Sequence, residues 1–177
     1  PTKRFPKLEK LRLHWLPKLE SVPEDTSNLT CLRRLEISCC HSLTSLPNLN
    51  SLATLQELEM IGCPNLTHLW EDSTWQDGIL SLENLCISNC PNLEAIPATQ
   101  KLQSLRKLQI ESCESLNISS KSVGNFQYLE FIDIYSNPAT WPPVIYELTS
   151  LPTLHLCCFS ENIYYVPLPD TFSRPVD

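Results

Sequence analysis

Apolar residues recur along this chain at a nearly constant interval. The clearest series consists of Leu11, Leu35, Leu58, Leu85, Leu108, Ile132 and Leu154. Successive members are 24, 23, 27, 23, 24 and 22 residues apart. The chain therefore contains seven copies of one unit, with a mean length of about 24 residues.

Two further apolar positions flank the central one in every unit. The position three residues earlier holds Leu8, Leu32, Leu55, Leu82, Leu105, Leu129 and Leu151, and the position two residues later holds Leu13, Ile37, Met60, Ile87, Ile110, Ile134 and Leu156. Because side chains along a strand point alternately to opposite faces, the alternation predicts one short strand per unit. Such strands can stack in parallel about 4.8 Å apart, so that each unit covers the leucines of its neighbours.

A fourth position, five residues after the central one, indicates the kind of repeat. It holds Cys40, Cys63, Cys90, Cys113 and Asn137, with Leu16 and Phe159 in the end units. This matches the Asn/Cys position of leucine-rich repeats, where the side chain turns into the core and donates to turn carbonyls. We predict an α/β leucine-rich-repeat solenoid, a right-handed horseshoe with a parallel sheet on its concave face. Loops, turns and short 3₁₀ segments are expected on the convex face.

The domain boundaries follow from the extent of the pattern. We predict that residues 1–167 form a repeat domain that is a fragment of a longer solenoid, and that residues 168–177 form a C-terminal tail. The third repeat contains a longer segment, 70–78, with two tryptophans. This segment either folds back onto the convex side or protrudes as a contact loop, since large aromatic side chains often anchor partners.

The composition argues against several functions. A net charge of −7 makes nucleic acid a poor partner, and no apolar run approaches the roughly 18 residues of a membrane span. Only three glycines are present, which disfavours glycine-rich phosphate loops. No set of nucleophile, base and orienting group can be named, so we expect no enzyme activity, no catalytic residue and no cofactor bound by this chain.

The repeat also explains the cysteines better than a metal does. Their number, nine, is odd and does not fit a fully paired disulfide framework. The four cysteines at the repeat position come from different strands, whereas zinc requires four converging ligands, usually in short pairs. We expect no metal site, and free thiols in a reducing compartment.

The side chains that alternate with the buried leucines should share the concave face. We predict that this face binds partners through Lys10, Arg12, His14, Arg34, Glu36, Glu57, Glu59, Ile61, Lys107, Gln109, Glu111, Phe131, Asp133 and Tyr135. The alternative is a solvated face that tolerates any residue. A basic patch (Lys10, Arg12, Arg33, Arg34) and an aromatic pair (Phe131, Tyr135) favour recognition, because charges steer an encounter and aromatic residues anchor it.

Two strings of the repeat resemble a particular family. Residues 32–40 (LRRLEISCC) and 85–97 (LCISNCPNLEAIP) are similar to repeats of plant intracellular immune receptors. These are the nucleotide-binding, leucine-rich-repeat (NB-LRR) disease-resistance proteins, especially those of the coiled-coil type. The resemblance implies a cytoplasmic domain that recognises pathogen effectors or guarded host proteins and holds its own nucleotide-binding domain inactive. It also implies that ATP or ADP binds only in that missing domain.

Two other classes remain open on the residues alone. The first is the substrate-recognition solenoid of an F-box ubiquitin-ligase adaptor, which is also cytosolic. The second is a secreted receptor or inhibitor, which predicts disulfides and occupied glycosylation sequons such as Asn65-Leu66-Thr67.

Overall fold

The computed structural model describes residues 5–22, 29–46, 49, 52–69, 80–96, 102–116, 128–135 and 153–157. These residues form seven strands of five residues each: β1 (Lys10–His14), β2 (Arg34–Ser38), β3 (Glu57–Ile61), β4 (Asn84–Ser88), β5 (Lys107–Glu111), β6 (Phe131–Tyr135) and β7 (Thr153–Cys157). The 70–78 segment and the predicted C-terminal tail lie outside the described residues.

The strands form one sheet whose spatial order is the chain order, β1 to β7. Every neighbouring pair is parallel. Leu35 pairs with Leu58, and Leu58 pairs with Leu85, as the repeat predicts. The series from Leu11 to Leu154 is therefore one continuous row across the sheet, and the parallel solenoid is confirmed.

One core runs through the stacked coils beneath this sheet. It contains the strand leucines and isoleucines, together with later apolar positions such as Leu43, Leu66 and Leu93. Sequence reasoning missed one further row, six residues before the central position, in which Leu52 and Leu102 are buried. Each of these two leucines accepts a backbone hydrogen bond from the residue three positions later, which closes a turn before the strand.

The first coil is less well covered than the others. Leu8, Leu11 and Leu13 are only partly buried, because β1 is an edge of the described sheet and a neighbouring coil covers it on one side alone. Leu16 was expected to point into the core but is 39% exposed for the same reason. The repeat pattern correctly predicts which side chains point toward the core. A side chain is fully buried, however, only where a neighbouring coil covers it on both sides.

The return segments consist of turns and short contacts between coils. Parallel bridges outside the seven strands link Ser21 to Ser45 and His68 to Ala95. The described parts of the return contain turns and bends. The predicted 3₁₀ segments stay a prediction, since much of the return lies outside the described residues.

Each of the first five coils turns at a residue with left-handed backbone geometry directly after its strand. The residues are Trp15, Cys39, Gly62, Asn89 and Ser112, with φ between 50 and 63°. The backbone N–H groups of the first four each donate to the carbonyl of the last strand residue in the next coil, at 2.8 to 3.0 Å. Each of these turns thus adds one backbone hydrogen bond to the ladder between neighbouring strands.

Glycine suits position 62 because of its left-handed backbone conformation, not because a side chain would lack room there. A Cβ added there would lie 3.7 Å from Cys39 Sγ, an ordinary contact. We therefore expect Gly62→Ala to lower stability by about 1 kcal/mol, the usual cost of left-handed geometry for an L-residue. Urea unfolding should show this loss, and Gly62→Asn should lose less, because asparagine tolerates the conformation. Equal midpoints for wild type and Gly62→Ala would contradict the assigned strain.

Candidate binding face

The sheet face opposite the core, called the open face here, carries the residues predicted to bind partners whose side chains the structure describes. Pairing places them in three rows. The central row runs Arg12, Glu36, Glu59, Cys86, Gln109, Asp133, His155, and the flanking rows begin at Lys10 and His14. The strand register confirms that the predicted positions form these rows. Their use in binding stays a prediction.

Two of the four residues of the predicted basic patch, Arg12 and Arg34, form ion pairs with carboxylates of the next strand. Arg12 Nε lies 2.6 Å from Glu36 Oε2. Arg34 contacts Glu57 through Nε at 2.6 Å and Glu59 through Nη2 at 2.9 Å. Its hydrogen bond to Glu59, with the nearby glutamates, raises the pKa of Arg34. The repeat places Arg34 beside Glu57, but sequence reasoning missed the ion pairs because they depend on side-chain conformations.

The far end of the open face is organised around Asp133, which is only 4% exposed. Gln109 Nε2 donates to Asp133 Oδ2 at 3.3 Å, and His155 Nδ1 lies 3.0 Å from Asp133 Oδ1. Asp133 was predicted as a contact residue. Because Asp133 is buried, it presents little surface of its own and acts mainly by accepting the hydrogen bond of Gln109.

The row of the open face that begins at His14 contains two buried serines, Ser38 and Ser88. Ser38 Oγ is 2.7 Å from His14 Nδ1, and Ser88 Oγ donates to Glu111 Oε2 at 3.1 Å. Since these small hydroxyls sit below longer side chains, His14 and Glu111 form the outer surface there.

Phe131 is held by the neighbouring strand. The Lys107 ammonium lies 5.2 Å from the centroid of its ring, within cation–π distance. Phe131 is half-buried, so the aromatic ring is both accessible and fixed. The side chain of Tyr135, the second member of the predicted aromatic pair, lies outside the described residues.

A depression of about 180 Å³ opens in the middle of the face. Cys86 lines it together with two carboxylates, Glu57 and Glu59, and two cations, Arg34 and Lys107. Burial, followed by the charge of Glu59, raises the pKa of Cys86, so its side chain is a neutral thiol near neutral pH.

The exposed side chain of Trp15 was not predicted. It is 63% exposed and stands between His14 and His41, whose ring centroids lie 6.3 and 6.2 Å from its own. Equivalent turns use Cys39, Gly62, Asn89 and Ser112. The sequence signal for this exposed side chain is a tryptophan at a turn position that holds small residues in the other coils.

Within the part of the chain that the structure describes, no three His, Cys, Asp or Glu side chains converge as a metal site would require. No helix among the described residues has the length and apolar character needed to cross a membrane.

Comparison with solved structures completes the assignment of the fold. The leucine-rich repeat domain of the type III effector XopL superposes with a TM-score of 0.67 and 24% sequence identity, over 84% of this chain. The chain has the leucine-rich-repeat fold. It covers 52% of the XopL chain, so it spans about half of that structure's length. Comparisons with protein-family profiles and with curated proteins return no match.

In the leucine-rich-repeat fold of this chain, the buried and the outward positions of each coil have separate roles. Every coil repeats the same apolar positions inside, while the outward positions differ from coil to coil. Such solenoids form extended concave binding surfaces through this separation. The open face is therefore the candidate site for a protein partner.

Proposed function

We propose that this chain is the protein-recognition domain of a plant intracellular immune receptor of the NB-LRR type, acting in the cytoplasm. The observation that supports recognition is the open face, where fixed charged and aromatic side chains lie over a uniform core. The repeat strings at 32–40 and 85–97 support the receptor class through their resemblance to that family.

Its partners in this proposal are proteins: a pathogen effector, a guarded host protein, or the receptor's own nucleotide-binding domain. ATP or ADP belongs to that other domain, and this chain acts by binding rather than by catalysis. Mixed charges along the face suit this role, since complementary charge controls association and specificity. The seven described cysteines are free thiols, which fits a reducing compartment better than a secreted protein.

Sequencing the complete transcript upstream of the codon for Pro1 tests the receptor class. The proposal expects a nucleotide-binding module with a glycine-rich phosphate loop in the same reading frame. An upstream F-box would favour the ubiquitin-ligase adaptor instead, and a secretory signal would favour the extracellular class.

Phe131→Ala tests the open face directly. We expect it to weaken binding of the upstream nucleotide-binding module by about tenfold or more, as loss of an aromatic anchor typically does, while folding stays intact. Tyr128→Ala is the matched control, because Tyr128 is an exposed aromatic residue in the turn before β6 and not on the open face. Surface plasmon resonance on both variants would decide. Equal affinities would place the partner elsewhere.

A further inference from the structure

The first coil, residues 5–22, has six apolar side chains that are partly or largely exposed at positions that coils farther along the stack bury. They form what we call the end face: Phe5, Leu8, Leu11, Leu13, Leu16 and Leu19. Phe5 and Leu16 are 66% and 39% exposed, whereas the equivalent Leu52 and Cys40 are 1% and 0% exposed. Because the end face includes residues before, within and after β1, the uncovered surface has the width of a whole coil.

Backbone donors at this end of the stack are uncovered as well. Inside the stack, Arg33 N–H donates to Glu9 O at 2.8 Å and Thr44 N–H donates to Glu20 O at 3.3 Å, both in the preceding coil. The equivalent donors one coil earlier, Glu9 N–H and Glu20 N–H, have no acceptor among the described residues. One precedes β1 and the other lies in the return segment, so a single strand docked along β1 would not reach both. A parallel coil of the same shape would satisfy both.

Charge narrows the kind of coil further. Within residues 5–22, four cations minus two carboxylates gives +2, in a chain of net charge −7: Lys7, Lys10, Arg12 and Lys18 against Glu9 and Glu20. Lys10 is exposed and forms no ion pair within the described part of the chain. Its partner across the sheet is Arg34, which contacts Glu57 and Glu59 on the far side. Since like charges directly opposite each other destabilise a sheet, a carboxylate is favoured on the uncovered side of Lys10.

A second copy of this chain is a poorer occupant of the end face. Two copies joined edge to edge by a two-fold axis, in one continuous sheet, would place β1 antiparallel to itself. The cations Lys10 and Arg12 of both copies would then meet along one seam, where like charges repel. The end face therefore favours a parallel neighbour that brings negative charge.

We propose that the end face docks a further leucine-rich coil of the same polypeptide, directly N-terminal to the first one. The strand of that coil presents apolar side chains beside Leu11 and Leu13, and an aspartate or glutamate beside Lys10. The repeat pattern predicts a longer solenoid but specifies neither this end nor this charge. The open face then continues beyond β1, and Lys10 links two coils instead of contacting a partner directly. The inference holds whichever partner the open face binds.

The full chain can be extended with a coil of its own to test the end face. Residues 29–47 are copied and placed directly before the chain, so that Leu35 of the copy precedes Leu11 by 23 residues, a spacing found between its own coils. One fusion carries Arg34→Glu in the copy, which places a carboxylate beside Lys10. The matched control fusion keeps Arg34 in the copy. Circular dichroism confirms that both fusions and the unextended chain are folded.

Amide hydrogen exchange measures the docking. At Glu9 and Lys10 we expect exchange about tenfold slower in the Arg34→Glu fusion than in the unextended chain, because these N–H groups gain acceptors. It should also be about threefold slower than in the control fusion, as one cross-strand charge pair would give. Lys10→Gln should remove this difference between the fusions. Lys7→Gln, which alters an exposed cation before β1, should preserve it.

Unchanged exchange at Glu9 and Lys10 in the folded fusions would overturn the docking of a coil. Equal exchange in the two fusions would overturn the carboxylate beside Lys10.

The reading frame upstream of Pro1 gives an independent test. The inference expects an apolar-x-apolar strand about 24 residues before Leu11, with Asp or Glu directly before its first apolar residue. A frame without this strand would contradict the inference even if a nucleotide-binding module lay farther upstream, and the proposed function would stand. The expected coil preceded by an F-box would support the inference and count against the proposed receptor class.

Discussion

Leu58→Asp is expected to prevent the chain from folding. Leu58 is 0% exposed, and its strand is paired on both sides, with Leu35 and Leu85 as its neighbours in the row. Aspartate there would place a carboxyl group among apolar side chains, and even in its neutral, protonated form an unpaired polar group costs roughly 2–7 kcal/mol, in addition to the lost packing of the leucine. That sum is comparable to the roughly 5–15 kcal/mol by which domains are stable. Circular dichroism should show the loss of the sheet signal and of any cooperative thermal transition.

Ile61→Asp provides the control on the same strand. Ile61 is three residues later, points to the open face and is partly exposed. The same chemical change should therefore cost little, within about 1 kcal/mol for a surface substitution. If Leu58→Asp melted at the temperature of Ile61→Asp, the assignment of Leu58 to the interior would be wrong.

These opposite outcomes depend on a register that the sequence predicts well. An apolar period near 24 residues places Leu35, Leu58 and Leu85 in one row because parallel coils of equal pitch must align their identical positions. The same reasoning assigns Cys40, Cys63, Cys90 and Cys113 to one buried column, as the structure confirms. Repeats are favourable for such predictions, since every coil tests the same assignment again.

The open face could be predicted only as a set of positions. Knowing that Arg34 lies beside Glu57 follows from the register, but its simultaneous contact with Glu59 depends on a side-chain conformation that no pattern specifies. The burial of Asp133 between Gln109 and His155 was missed for the same reason. The depression over Cys86 arises from the relative sizes of three neighbouring strands, a property visible only after they are placed together.

The column of buried thiols carries chemical information beyond packing. Cys40 Sγ and Cys90 Sγ each donate to the carbonyl of the last strand residue of their own coil, at 3.5 Å. A hydrogen bond with Cys90, and then burial, raises the pKa of Cys63. The hydrogen bond with Cys113 raises the pKa of Cys90 to about 12.

The pKa values of the other two cysteines in the column, Cys40 and Cys113, shift in opposite directions. Burial raises the pKa of Cys40, whereas the hydrogen bond from Cys90 lowers the pKa of Cys113. The folded chain therefore retains protons on three thiols and releases one more readily. The retained protons dominate the balance.

Alkaline pH is accordingly expected to destabilise the fold through this column. Below the unfolded thiol pKa of about 8.5, the raised thiols are protonated in both states and contribute no pH dependence. Above it, the unfolded chain loses protons that the folded chain keeps, so stability falls by about 1.4 kcal/mol per pH unit for each such thiol. The fall continues until the folded pKa is reached, which for Cys90 is about 12.

Comparison of the wild type with Cys63→Ala isolates one thiol from the lysines and tyrosines that titrate in the same range. At pH 7.5 the variant should be less stable, because it leaves a cavity in the core. Its deficit should shrink by about 1.4 kcal/mol per unit between pH 9 and 10.5 in urea unfolding, since alanine has no proton to lose. Cys31→Ala, which removes an exposed cysteine outside the buried column, is the matched control variant for the same measurement. A deficit for Cys63→Ala that did not change with pH would mean that the thiol column ionises as freely in the fold as in the unfolded chain.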